Sequence, residues 1–343
     1  MFHYFIGSIF ITILGVIAAY LWGEHIHPNS GFTCVFIALV LAILEISLSF
    51  DNAVVNAMKL EKMSEKWRQR FITWGILIAV FGMRFLFPLA VVAIFAKLNI
   101  LTVLDMALNN VDTYAHYLEL THAPIVTFGG AFLIMLFLDY FTTPKDVCWL
   151  SFIEKHMLKL SKIKGICTVT TLVIILGVMS VLPPEIRLNI FLSGFAGIII
   201  YLTIDGLAEW LERRQEERAK LYADTVKCSG LIGFLYLELI DASFSLDGVL
   251  GAFALSKDII IITIGLFIGA MFVRSLTIML VEKKTLSKFI YLEHGAHWAI
   301  GILAVLMFIS TFYEVPEVVT GTLGLILIVA ALISSILDNK KKV

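Results

Sequence analysis

The stretch LEISLSFDNAVVNA, Leu44 to Ala57, places Glu45, Ser47, Ser49, Asp51, Asn52 and Asn56 inside an otherwise apolar run. A second stretch, DASFSLDGVLGA from Asp241 to Ala252, repeats the pattern with Asp241, Ser243, Ser245 and Asp247. Aligned without gaps, both read [Glu/Asp]-x-Ser-x-Ser-x-Asp, and Asn52 falls opposite Gly248. Carboxylate, amide and hydroxyl oxygens are hard donors suited to Mg²⁺, Ca²⁺ or Mn²⁺. Neither motif contains Cys, His or Met, which argues against copper and, more weakly, against zinc. With Glu238 added, the two motif segments carry the acids Glu45, Asp51, Glu238, Asp241 and Asp247. Arg84 and Arg274 each lie well inside an apolar stretch and would compensate part of that charge. The remainder suits a divalent cation, and crowded buried carboxylates that disfavour charge would make proton-coupled exchange a natural consequence.

Such side chains need elements that hold them at membrane depth. The chain has 343 residues, of which 59% are hydrophobic and 15% charged, and its mean hydropathy is +0.94. Soluble domains carry about 25% charged residues, so the composition predicts an all-α polytopic membrane protein. A net charge of −1 with charges segregated into loops argues against nucleic-acid binding. The four cysteines, Cys34, Cys148, Cys167 and Cys228, form no CxxC pair and suggest neither a disulfide framework nor a zinc site. A spanning helix needs about 20 apolar residues. Ten stretches qualify: 2–22, 34–58, 71–96, 125–141, 167–182, 188–208, 229–255, 259–280, 297–313 and 317–337. The first lacks the basic start and cleavage site of a signal peptide, so it reads as a span.

Lysine and arginine set the expected orientation. They crowd the segments 59–70, 145–164, 209–228 and 281–296 and the C-terminal tail, while the alternate loops carry almost none. Both termini are therefore expected on the cytoplasmic side. The two motif helices, 34–58 and 229–255, then run in opposite directions. Residues 1–182 and 183–343 accordingly read as two inverted-topology repeats, an arrangement signalling secondary transport. Arg84 and Arg274, each in the helix after a motif, agree with that pairing.

The motif spacing allows two local forms. On a regular helix, Glu45, Ser49, Asn52 and Asn56 share one face and Ser47 and Asp51 lie nearly opposite. In an extended form, Glu45, Ser47, Ser49 and Asp51 would all point one way, as Gly248 and Gly251 would ease in the second copy. Either form requires enclosure by protein or water, because an Asp at a helix centre costs about 2.5–3.5 kcal/mol in lipid. Asp51 and Asp247 are expected to be symmetry-related ligands of one ion.

LEISLSFDNAVV together with LELIDASFSLDGVL resembles the paired signature of TerC-type integral membrane proteins, named for tellurium resistance and related to bacterial manganese exporters. The resemblance extends over the second to ninth helices. It implies export of a divalent metal ion, foremost Mn²⁺, across the bacterial plasma (inner) membrane. By residue match it implies that Glu45, Asp51, Asn52, Glu238, Asp241 and Asp247 hold the ion, with Ser47, Ser49, Ser243 and Ser245 as accessory polar groups.

Other features carry less. His25 and His27 form an H-x-H, and His294 and His297 recur near the inner end of a helix; such pairs are more often structural than metal-holding. Asp139, Asp205 and Glu209 sit near helix ends, where interfacial roles predominate. EWLERRQEERAK reads as a solvated helical extension, and 97–124 reads as a long outer loop lying on the membrane surface. No nucleotide-binding loop is present, and no resident cofactor is expected beyond the transported cation. The expected partners are that ion and the lipid bilayer, with the oligomeric state left open. The rival readings are export of a cationic organic solute such as an amino acid, and an intramembrane carboxylate enzyme. Serines between acids in an inverted repeat suit ion coordination better than either, so the chain is not read as an enzyme.

Overall fold

The computed structural model describes residues 2–26, 28–78, 82, 85–145, 147–222, 258–283, 289–313 and 315–341, together with Phe234, Leu237, Glu238, Ala252 and Ser256. Among these residues the regular structure is all helical, joined by turns and short irregular connections. A 3-10 turn, Phe2–Phe5, leads into α1 (Ile6–Ile26), followed by α2 (Gly31–Leu48), α3 (Phe50–Lys62), α4 (Glu65–Leu77) and α5 (Phe87–Ala96). Then come α6 (Ile100–Asn109), α7 (Val111–Thr142), α8 (Ser151–Leu160), α9 (Ile166–Val181) and α10 (Pro184–Tyr222). The last are α11 (Ile259–Glu282), α12 (Leu292–Ile309) and α13 (Glu317–Lys341). The charged run after residue 208 continues α10 to Tyr222, the helical extension read from the sequence.

Six of the described helices are long and apolar enough to cross a membrane: His3–Ile26, Glu119–Thr142, Pro184–Leu207, Ile259–Glu282, Leu292–Ile309 and Thr322–Asn339. The bent pair α2–α3 makes a seventh if counted as one span. The protein is thus an all-α polytopic membrane protein, but ten spans are more than the described residues carry. The stretch 167–182 forms a helix of only 16 residues. The stretch 71–96 is shared between α4 and α5, and most of 229–255 lies outside the described residues. The second motif helix of the expected inverted repeat falls in that last stretch, so the repeat pairing lies outside the described residues.

The segment 97–124 is not a loop. Asn99 caps α6 by accepting from Leu101 N–H at 2.9 Å, and Asn110 caps α7 by accepting from Thr113 N–H at 3.4 Å. Capping asparagines satisfy backbone donors that a helix start leaves open. Helix α6 buries Val103 and Ala107 against Leu89, Val92 and Tyr114, so it packs on α5 and α7.

Two packing groups meet at α3. In one, α7 lies against α10, α9 and α12, and α12 against α13; Phe132, Phe137, Ile175, Ile190, Ile300 and Met307 fill this core. In the other, α2 is sandwiched between α1 and α11. Helix α3 touches α11, α12 and α13 and sends Val54, Val55 and Met58 into the first group's core. Gly265 and Gly269 permit the close approach of α11 to α2, since an added Cβ would stand 2.6 Å from Leu41 Cβ and 2.5 Å from Glu45 Cβ respectively. This small-xxx-small face lets backbones meet where lipid supplies no hydrophobic drive.

Candidate functional site

The first motif straddles the break between α2 and α3, which are bent by 50°. It is not extended. Ser49 N–H donates to Glu45 O at 2.9 Å and Ala53 N–H to Ser49 O at 3.1 Å, so helical bonding runs through the bend. Serines account for the bend locally. Ser47 Oγ donates to Ile43 O at 2.9 Å, a back-bond that competes with the helical ladder and tilts it. Ser49 itself has φ −99° and ψ 15°, outside the helical well.

Of the two forms open to the motif, the helical one is adopted. Glu45, Ser49, Asn52 and Asn56 are all buried, at 1%, 3%, 1% and 4% exposure, while Ser47 is exposed. Ser49 Oγ donates to Glu45 Oε1 at 2.9 Å. The result is a polar stripe of one carboxylate, one hydroxyl and two amides running past a bend within an apolar span. Asp51 belongs to α3, but its side chain lies outside the described ones.

Helix α11 forms the wall under this stripe. Gly269 lies so close to Glu45 that a methyl there would meet Glu45 Cβ at 2.5 Å, Cγ at 2.6 Å and Ala42 O at 2.8 Å. Five residues on, about 7.5 Å along a helix axis, α11 carries Arg274. Its guanidinium carbon stands 5.1 Å from the Phe71 ring centroid, within cation–π range. Buried Glu238 approaches the same place. A methyl on Gly75 of α4 would lie 2.9 Å from Glu238 Oε1 and 3.4 Å from Arg274 Nη1, so the opposite charges flank one point. Both Glu45 and Glu238 therefore abut the surroundings of α11.

The remaining expected ligands are not placed. Asp241, Ser243, Ser245, Asp247 and Arg84 lie outside the described residues. Among the described residues no three His, Cys, Asp or Glu side chains come together as a metal-holding group.

The histidine pair of α12 does structural work instead. His294 Nε2 lies 2.9 Å from Val147 O and its Nδ1 3.2 Å from the Tyr140 hydroxyl, so both ring nitrogens are engaged. His297 stacks on the Tyr140 ring with centroids 3.4 Å apart. Buried Glu154 accepts from Trp149 N–H at 3.0 Å, Leu150 N–H at 3.1 Å and Trp298 Nε1 at 3.2 Å, tying the α7–α8 connection to α12. Glu209 pairs with Arg213 on the exposed part of α10. Sequence reasoning missed Gly75, Gly269 and Glu154. The Gly265-x-x-x-Gly269 spacing was a legible packing signal, whereas nothing local distinguishes Gly75 or Glu154.

A family model described as "Protein of unknown function (DUF475)" matches residues 50–342, and the chain belongs to that family. The TerC resemblance is thereby overturned, because DUF475 is a distinct family. The manganese preference and outward direction rested on that resemblance alone and lose its support. The chain is also 30% identical over 139 residues to the uncharacterized membrane protein YceF of Bacillus subtilis (strain 168). That alignment covers 39% of this chain and 53% of the relative, so the chain spans about half the length of the curated relative it matches. No solved structure matches.

Proposed function

We propose that this member of the DUF475 family is a secondary transporter of a small hard cation, bound on the bent α2–α3 helix pair. The observation that carries the reading is the buried stripe Glu45–Ser49–Asn52–Asn56 across a break in an apolar span. An acid at membrane depth is costly enough that, where one occurs, it generally faces an ion or proton pathway. Broken helices beside polar side chains are the usual way for a transporter to expose oxygens to an ion. Here every donor on the stripe is oxygen or amide, which suits Mg²⁺, Ca²⁺ or Mn²⁺ over soft metals. Asp51, Asp241 and Asp247 would complete the donor set, and Arg274 beside Glu238 would limit the net charge of the unloaded site.

The basic loops support a plasma-membrane protein with both termini cytoplasmic. Carboxylates gathered at such a site would favour exchange of the cation against protons, and no resident cofactor enters the scheme.

The test uses the full-length protein in proteoliposomes with an internal metal-sensitive dye, scanning Mn²⁺, Mg²⁺, Ca²⁺ and Zn²⁺. Wild type should move at least one of the first three ions. Glu45→Gln removes charge with little change of shape and should lower the rate at least tenfold while the protein still elutes as a monodisperse species. A wild type that moves none of the four ions, or a Glu45→Gln variant at full rate, would overturn the reading. Uptake of a cationic amino acid in place of metal would transfer the site to an organic solute.

A further inference from the structure

Helix α8 is built unlike its neighbours. It lies between the candidate span Glu119–Thr142 and the apolar helix Ile166–Val181, so its two ends are tethered close to the membrane surface. Its inward face is anchored: Glu154 is buried under Trp298 with its three N–H donors, and Met157 packs against the main core. Its outward face is apolar, with Phe152 82%, Ile153 44% and Leu160 47% exposed, and Ile163 just beyond it 56% exposed. His156 lies on the same face against the Phe152 ring, with centroids 5.0 Å apart. One flank of the helix is basic. Lys155 and Lys159 follow each other at one turn's spacing, and Lys162 and Lys164 continue in the turn before α9, all exposed. The one acid in Ser151–Gly165, Glu154, is turned inward.

An exposed phenylalanine with leucine and isoleucine beside it is unfavourable in water and favourable in the acyl–headgroup boundary. Lysines on long stems reach from that depth to phosphate. We propose that α8 is an interfacial helix that lies in the headgroup layer and binds anionic phospholipids through Lys155, Lys159, Lys162 and Lys164. The charge pattern selects the occupant, since a zwitterionic surface would satisfy the apolar face but leave four cations without counter-charge. The anchoring of Glu154 matters because it fixes which face points outward, so the lysine flank is preorganised. None of this depends on what the α2–α3 stripe carries, or on which leaflet α8 faces.

The experiment uses full-length protein in nanodiscs of phosphatidylcholine alone or mixed with phosphatidylglycerol. A nitroxide is attached at Phe152→Cys after Cys34, Cys148, Cys167 and Cys228 are replaced by Ser. The label should collide with oxygen far more than with a water-soluble nickel complex. In parallel, native mass spectrometry of the protein with its natural cysteines should show retained phosphatidylglycerol in preference to phosphatidylcholine. Each lysine at an anionic surface contributes about fivefold in affinity. The Lys155→Gln, Lys159→Gln, Lys162→Gln and Lys164→Gln combination should therefore reduce the preference at least tenfold. All four side chains are exposed, so this variant tests charge without touching the core. A water-accessible label at 152 would overturn the proposal. So would a label shielded from both quenchers, which would mean a protein surface covers α8, and so would an unchanged lipid preference in the four-lysine variant.

Discussion

Gly269→Ala adds one methyl group at the tightest point of the α2–α11 contact. That Cβ would sit 2.5 Å from Glu45 Cβ, 2.6 Å from Glu45 Cγ and 2.8 Å from Ala42 O. The closest of these is about 1 Å short of ordinary carbon–carbon contact, and two involve groups that cannot rotate away, a Cβ and a backbone carbonyl. The helices must separate, and overpacking of this kind costs about 1–3 kcal/mol. Gly265→Ala is the matched comparison, with 2.6 Å to Leu41 Cβ and 2.8 Å to Ala38 O. Gly177→Ala is the neutral control, because its Cβ meets nothing within 4 Å. Melting of detergent-solubilised protein, followed by the loss of monodisperse material, should place the two α11 variants about 3–10 °C below the control. Cation affinity should then separate them. Only Gly269→Ala displaces the carboxylate of Glu45, so it should weaken binding severalfold while Gly265→Ala leaves binding near wild type. If Gly269→Ala melts with Gly177→Ala, the close packing under Glu45 is wrong. If both α11 variants bind cation equally well, Glu45 is not held by that wall for a purpose.

Further outcomes follow from other contacts. Gly75→Ala would press a methyl to 2.9 Å from Glu238 Oε1 and part it from Arg274; transport should fall several-fold, and a rate equal to wild type would separate this pair from the pathway. Glu154→Ala strips three N–H donors of their acceptor, a loss of about 2–4 kcal/mol; a melting temperature equal to wild type would show that the α7–α8 connection is not held there. Reporters fused after Lys66, Glu154 and Arg214 should read as cytoplasmic and those between Lys97 and Asn110 as external, and opposite sides for the first and third would end the inverted-repeat reading.

The legible part of the site was its angular arrangement. Glu45, Ser49, Asn52 and Asn56 are spaced for one helical face, and all four are buried while Ser47 is exposed. Helix periodicity is strictly local, so it survives without knowledge of neighbours. The bend at Ser49 was foreshadowed only as a choice between intact and unwound, because back-bonding by Ser47 depends on a rotamer that sequence does not specify. The α6–α7 region was misread since its alternating polar and apolar residues hid two capping asparagines, Asn99 and Asn110. The family was misread for a different reason. A short acidic motif in a membrane helix is too few residues to fix ancestry, and the family model that does match covers residues 50–342. Contacts such as Gly75 with Glu238 join residues far apart in the chain and leave no periodic trace.

The bend at Ser49 divides the stripe, with Glu45 on one arm and Asn52 and Asn56 on the other. Helix α3 has 13 residues, a lever of about 20 Å, so a 10° change at Ser49 would carry its far end roughly 3 Å. The separation between the carboxylate and the amides would change in the same movement. On the proposed reading, ion selectivity and conformational equilibrium would be set by the same few atoms. A substitution that retunes such a site would then also shift how the two arms are disposed.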